Sequence, residues 1–211
     1  MAKRGLLVVI SGPSGAGKGT TREALMRGDP GLVFCVSVTT RRPRAGEIPG
    51  VNYTFVDVAD FRKREAQGEF LESAQVYGNL YGTPRAPVEQ LIESGQDVLL
   101  EKDVQGALAI KRRMPPAILV FIAPPSVDEL KARILKRGTE TAEDLECRLG
   151  CALREMHETQ HFDYVVVNYD IDGTTRVLEA IVIAERHKVR HSNPAQECLE
   201  EKAQYDALPA S

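Results

Sequence analysis

Apolar residues fall into two kinds of run along this chain. Five short ones, Leu6–Ile10, Leu32–Val38, Asp97–Glu101, Ala117–Ile122 and Tyr164–Val167, read as strands. Between them apolar residues recur at helical spacing, over Lys18–Arg27, Pro87–Ser94, Gln105–Arg113, Val127–Lys136, Ala142–His157 and Thr174–Arg186. Such alternation predicts an α/β fold, a parallel sheet flanked by helices. Runs as apolar as "LLVVI" and "AILVFI" suit central strands buried on both faces. The alternation breaks over Thr54–Thr83, where "YTFV", "EFLES" and "LYGT" surround one helix, so an inserted lobe is expected there. Beyond Val189 the polar, proline-containing sequence predicts a loosely attached tail or a short surface helix.

Composition narrows the function classes. The chain has 211 residues, 43% of them hydrophobic, enough for a sizeable core. A net charge of −3 argues against a general binder of nucleic acid or anionic membrane, while leaving room for a local basic site. A bound polyanion is then expected to be small. The leading "MAKRG" runs into only five apolar residues, and no stretch approaches the roughly 20 that span a bilayer. These features predict a cytoplasmic protein. Its four cysteines, Cys35, Cys147, Cys151 and Cys198, form no C-x-x-C pair and read as free thiols.

Chemistry enters with "SGPSGAGKGT", placed between the first strand and the first helix. Gly12-Pro13-Ser14-Gly15-Ala16-Gly17-Lys18 fits the GxxxxGK part of a phosphate-binding loop. Its glycines let backbone N–H groups turn inward around phosphate oxygens, the helix adds its positive end, and Lys18 brings an ammonium. The usual Ser/Thr after the lysine is Gly19, so magnesium would draw its ligands from Thr20, water or carboxylates elsewhere, with Thr20 the hydroxyl expected to stand in. A second basic cluster, "SVTTRRPRAGEIPGVNY", carries Arg41, Arg42 and Arg44 in a loop, where forked guanidinium donors suit another phosphate. Two phosphate sites in one small α/β chain suggest phosphoryl transfer between nucleotides.

With these blocks on the page, the chain resembles the guanylate kinases over residues 4–188. Four more blocks carry the likeness, "GEFLESAQVYGNLYGT", "EKDVQG", "FIAPPSVDELKARILKRGTET" and "DYVVVN". The resemblance implies a P-loop kinase with an inserted GMP-binding lobe and a small lid. The core would be residues 1–36, 84–126 and 149–188, the lobe 37–83, the lid 127–148 and the tail 189–211. ATP with Mg2+ would lie on Gly12–Thr20, with Asn168 beside it. Arg41, Arg44, Tyr53 and Tyr81 match the residues that hold the monophosphate. Ser37, Thr83 and Glu72 match those that read guanine. Arg133, Arg137 and Arg148 match the lid arginines, which with Lys18 and Arg41 would form the catalytic set. Asp103, with Glu101, resembles the acidic pair near the acceptor and magnesium, although the family's Asp-x-Asp is here Glu101-Lys102-Asp103. The implied reaction moves the γ-phosphate of ATP to GMP, and to dGMP. The partners would be nucleotides, with no nucleic acid or membrane, and the enzyme a monomer or homodimer.

Two of these roles have a basis in the residues themselves. Guanine presents adjacent N1–H and 2-amino donors, and an ionised carboxylate such as Glu72 only accepts. Adenine lacks that donor pair and would leave Glu72 unpaired. Arg133 and Arg137 stand four apart and share one helical face. Rival readings are a kinase for another phosphorylated acceptor, a phosphopeptide-binding scaffold of guanylate-kinase-like build, and zinc hydrolysis. The last rests on His157-Glu158-Thr159-Gln160-His161, an HExxH pattern. It falls where a helix must end before the "DYVVVN" strand, which predicts that the histidines do not share a helical face.

Overall fold

A computed structural model of the protein describes residues 4–44, 46–76, 78–135 and 142–189, without the side chains of 142–144 and 147. Its main sheet is parallel and has five strands, in the order β2 (Leu32–Phe34), β7 (Asp97–Glu101), β1 (Leu7–Ser11), β8 (Ile118–Ala123) and β9 (Tyr164–Val167). A smaller sheet orders β4 (Thr54–Phe55), β3 (Val38–Thr39), β6 (Asn79–Pro84) and β5 (Phe70–Val76). Helices follow as α1 (Lys18–Gly28), α2 (Val58–Ala66), α3 (Arg85–Glu93), α4 (Val104–Arg113), α5 (Val127–Leu135), α6 (Ala142–His157) and α7 (Ile171–Arg186).

The twofold alternation of β1 divides the core. Val8 and Ile10 pack on one face with Leu25 of α1 and Leu178 and Val182 of α7. Leu7 and Val9 pack on the other with Val88 and Ile92 of α3 and Ala107 and Ile110 of α4. Buried on both faces, the central strands need apolar residues at every position, as "LLVVI" and "ILVFIA" supply. Among the described residues no helix is long and apolar enough to cross a membrane.

The expected strand Leu32–Val38 is two strands in two sheets. Leu32–Phe34 pairs with β7, whereas Val38–Thr39 pairs antiparallel with β6. Cys35–Ser37 is therefore the crossing from the main sheet to the small one. Helix starts also move earlier than the apolar pattern suggests. Asp103 and Asp170 cap α4 and α7 by accepting from Gly106 N–H and Gly173 N–H. Pro87 falls in the first turn of α3, where a missing N–H breaks no helical bond.

Candidate active site

One cleft of about 1550 Å³ runs between the C-terminal edge of the main sheet and the small sheet. Single-ligand pockets are typically about 300–1,000 Å³, so this one has room for two nucleotides.

The glycine-rich loop forms one end. Gly12 (φ 137°), Gly15 (φ 90°) and Gly17 (φ 94°) all lie in the left-handed region. At Gly12 a Cβ would stand 2.2 Å from the Ile122 carbonyl oxygen, so only glycine lets the loop lie against β8. Lys18 folds back over the loop, donating to the carbonyls of Gly12 (2.6 Å) and Pro13 (3.0 Å). Ser14, Lys18 and Gly19 line the cleft. Pro13, Gly15 and Ala16 are buried behind them. Across from Lys18, burial raises the pKa of Glu155 above the usual carboxylate range, against the pull of the Lys18 charge.

Two residues expected at this loop lie off the cleft wall. Asn168 is 1% exposed and is no part of the cleft wall. Its side-chain amide donates to Ala16 O at 2.7 Å, and its oxygen accepts from Thr174 at 3.0 Å. It braces the loop from beneath, tying it to α7. Thr20, expected to supply the metal hydroxyl, is exposed and also off the cleft wall. Each residue advances about 100° around a helix, which carries position 20 away from the face of Gly19. A Cβ on Gly19 would point at both Glu101 carboxylate oxygens, 3.9 Å away. Thr21 is buried, with its hydroxyl on Gly17 O at 2.9 Å.

The small sheet builds the other end. Glu72 on β5 and Thr83 on β6 are register partners, and the Thr83 hydroxyl donates to Glu72 Oε1 at 2.6 Å. Glu72 is buried, yet it lines the cleft. Lys102 reaches it from the end of β7, with Nζ 3.1 Å from Glu72 Oε1 and 2.6 Å from Ser37 Oγ. Asp103 stands on the same wall as the cap of α4.

Beside this pocket, Arg41 pairs bidentately with Glu47, at 2.9 and 2.7 Å. Its guanidinium stacks 5.4 Å from the Tyr53 ring centre, and Tyr53 meets Tyr81 edge-on at 6.0 Å. The hydrogen bonds from Arg41, and then from Arg44 N–H, draw the Glu47 carboxyl down to about 2. Hydrogen bonding to Glu47, more than to Tyr81, raises the Arg41 pKa above its ordinary value. Burial pushes the Tyr53 phenol up, helped by neighbouring Tyr81. Arg44 is exposed and lines the cleft with both tyrosines.

On the third side, α5 and α6 pack through Leu130, Ile134 and Ala152. Leu130 and Ile134 also touch the position of Gly15, joining this hairpin to the loop. Arg133 donates to Glu129 (2.9 Å) and to Asn168 O (3.1 Å). Arg148, Cys151 and Glu155 present one face of α6 to the cleft. Arg137 lies outside the described residues.

The family model described as "Guanylate kinase" matches residues 4–185, the span that builds every wall of this cleft. The chain belongs to the guanylate kinase family. It is 47% identical over 186 residues to a guanylate kinase of Clostridium perfringens, 88% of this chain and 86% of that one. With the guanylate kinase of Syntrophomonas wolfei it shares 47% identity over 193 residues, 92% and 99% of the two chains. Among solved structures, guanylate kinase from Anaplasma phagocytophilum matches with a TM-score of 0.76 at 34% identity, covering 95% of this chain and 96% of that one.

Within the guanylate kinase frame two cleft-lining side chains were given no role from the sequence, Glu47 and Lys102. Glu47 had a signal: an acid a few residues past two loop arginines can fold back onto them. Lys102 also had one, because the residue after a parallel strand sits where sheet ligands gather. The HExxH pattern is not a helical site. α6 ends at His157, Glu158–His161 is a 3-10 turn, and no group of three or more acidic, histidine or cysteine side chains able to hold a metal exists among the described residues.

Proposed function

We propose that this cleft carries the guanylate kinase reaction, transfer of the γ-phosphate of ATP to GMP to give ADP and GDP, through the following roles. The loop N–H groups, the α1 dipole and Lys18 bind the donor phosphates. Arg44, Tyr53, Tyr81 and the Glu47-held Arg41 aim the GMP phosphate in line with them. Ser37, Glu72 and Thr83 read the base, beside Asp103. Arg133, Arg137 and Arg148 belong to a lid, residues 127–148, that closes over the core, residues 1–36, 84–126 and 149–188. The lobe that holds GMP is residues 37–83. Closure brings cations to the moving phosphoryl group and excludes the water that would otherwise hydrolyse ATP.

Magnesium with ATP fits the donor chemistry. Glu101 puts hard carboxylate oxygens opposite Gly19 and Asp103 lines the same cleft, and a magnesium ion held there would complete such a set with waters. Bound there, it would supply charge neutralisation at the phosphates. Arg22, 3.3 Å from Glu101, holds that carboxylate toward the cleft.

The observation that carries this reading is a single cleft walled by Lys18 at one end and by Arg44, Tyr81 and Glu72 at the other. ADP release from Mg·ATP, measured with GMP, dGMP, AMP, UMP, CMP and no acceptor, tests it. Turnover with GMP and dGMP alone is expected. No turnover with any acceptor, in folded protein, would favour the phosphopeptide-binding scaffold. With nucleotides as its partners and a chain of net charge −3, we read the enzyme as cytoplasmic, working as a monomer or homodimer.

A further inference from the structure

Lys102 follows β7 directly and turns its side chain into the base pocket. That side chain is 9% exposed, beside a Glu72 side chain that is 4% exposed. Its ammonium carries three protons. Two have protein acceptors, Ser37 Oγ at 2.6 Å and Glu72 Oε1 at 3.1 Å. That leaves a third for a ligand in the cleft, whose wall Lys102 helps to form. A buried ion pair stabilises a fold poorly, because desolvating both charges offsets their attraction. Two buried charges at the mouth of a base pocket therefore suggest recognition.

The order of groups gives that recognition a direction. With Glu72 Oε1 already accepting from Thr83 and Lys102, the protein presents an ammonium beside the two lone-pair sites of Oε2, a donor followed by two acceptor sites. Guanine presents O6, N1–H and the 2-amino group, an acceptor followed by two donors. The pocket thus imitates the pairing edge of cytosine. Thr83 fixes the carboxylate by donating to Oε1. Ser37, accepting from Lys102, keeps its own proton for the base. Gly106 lies beneath them, where a Cβ would stand 2.9 Å from Asp103 Oδ1 and 3.5 Å from Glu72 Oε2 and Lys102 Cβ.

We propose that Lys102 is a specificity-determining residue that reads the 6-oxo group of the acceptor base. The inference rests on assigning this pocket to guanine. Adenine would turn its 6-amino donor toward the ammonium and its N1 acceptor toward the carboxylate, a mismatch at both points. Hypoxanthine keeps the 6-oxo group and N1–H and loses only the 2-amino group. Position 6 is read by Lys102 and position 2 by Glu72.

Steady-state kinetics with GMP, IMP and AMP test this in the full chain and in Lys102→Met, which keeps length and loses charge. Hydrogen bonds to charged groups set the expected loss at roughly 10- to 100-fold in kcat/KM for GMP, mostly through KM. IMP should lose the same factor, leaving the GMP:IMP ratio intact, while the GMP:AMP ratio contracts. A collapse of the GMP:IMP ratio would show that Lys102 only holds Glu72 in place, and would overturn the proposal. An unchanged GMP:AMP ratio would overturn it too. Should Lys102→Met not fold, Lys102→Arg keeps the buried charge and should raise KM for GMP while still rejecting AMP. Acceptance of AMP by folded Lys102→Arg would count against the proposal. Wild-type protein without a preference for GMP over AMP would instead sink the guanine assignment, and this inference with it.

Discussion

Glu47 holds Arg41 by two hydrogen bonds, 2.9 and 2.7 Å long, and accepts a third at 2.7 Å from the backbone N–H of Arg44. One carboxylate thereby orders both arginines expected at the acceptor phosphate. Glutamine at position 47 retains a single acceptor and cannot grip a guanidinium in bidentate fashion. Glu47→Gln should raise KM for GMP about tenfold, since misplaced binding groups weaken a positioned phosphate, with kcat changed far less. Initial rates over a GMP series at saturating ATP decide it. An unaltered KM would mean that Arg41 is positioned by Tyr53 and Tyr81 alone.

The same contact sets an acid limit. The Glu47 carboxyl titrates at about 2 in the folded chain, against an ordinary value of 4.5. A carboxyl depressed by folding contributes fully above its unfolded value, and that contribution fades as pH falls through the folded value. The loop should therefore stay fully supported at neutral pH and lose this support progressively as pH falls from about 4.5 to about 2. Carbon-detected NMR titration of the glutamate carboxyls checks this. A Glu47 midpoint near 4.5 would show that the Arg41 pair does not persist in solution.

Lys18 braces the loop through Gly12 and Pro13 and, in the proposed mechanism, also presents charge to the donor phosphates. Loss of one preorganised donor to developing charge typically lowers turnover by about 100- to 1,000-fold. Lys18→Ala should fall in that range with its circular dichroism unchanged. Near-normal turnover in this variant would remove the loop from the mechanism.

Glu72→Gln tests base reading and stability together. The amide replaces one acceptor with a donor, so the GMP:AMP ratio should drop by about 100-fold or more. It also leaves the Lys102 ammonium without its carboxylate, and breaking a buried pair destabilises by about 3–5 kcal/mol. Kinetics and urea unfolding on one preparation separate the effects. Unchanged base discrimination would show that guanine is read elsewhere.

The core strands were legible because β1, β7 and β8 bury both faces, so their central positions are all apolar. The phosphate loop was legible because chemistry and local geometry demand the same glycines. What sequence hid depended on long-range partners. Nothing local shows that Leu32–Val38 divides between sheets, because both halves are apolar and the division follows from pairing with β7 and β6. Nor does the sequence show where an amide or ammonium points. Asn168 faces Ala16, 152 residues away, and Lys102 faces Ser37 and Glu72 across the core–lobe boundary.

Asn168 supplies the last expectation, because its role under the loop differs from contact with ATP. Its amide joins Ala16 O to the Thr174 hydroxyl, and a Cβ at Gly17 would stand 2.3 Å from its nitrogen. Asn168→Ala deletes both bonds and leaves a buried carbonyl unpaired, a loss of about 1–3 kcal/mol. Asn168→Asp should do more harm, since a carboxylate cannot donate to Ala16 O and sets two acceptors against each other. Because the brace holds the donor loop and not the acceptor pocket, KM for ATP should rise in both variants while KM for GMP stays near wild type. A rise in KM for ATP with no loss in urea unfolding would indicate direct contact with the nucleotide. A loss of stability with KM for ATP unchanged would mean that the loop keeps its shape without the brace.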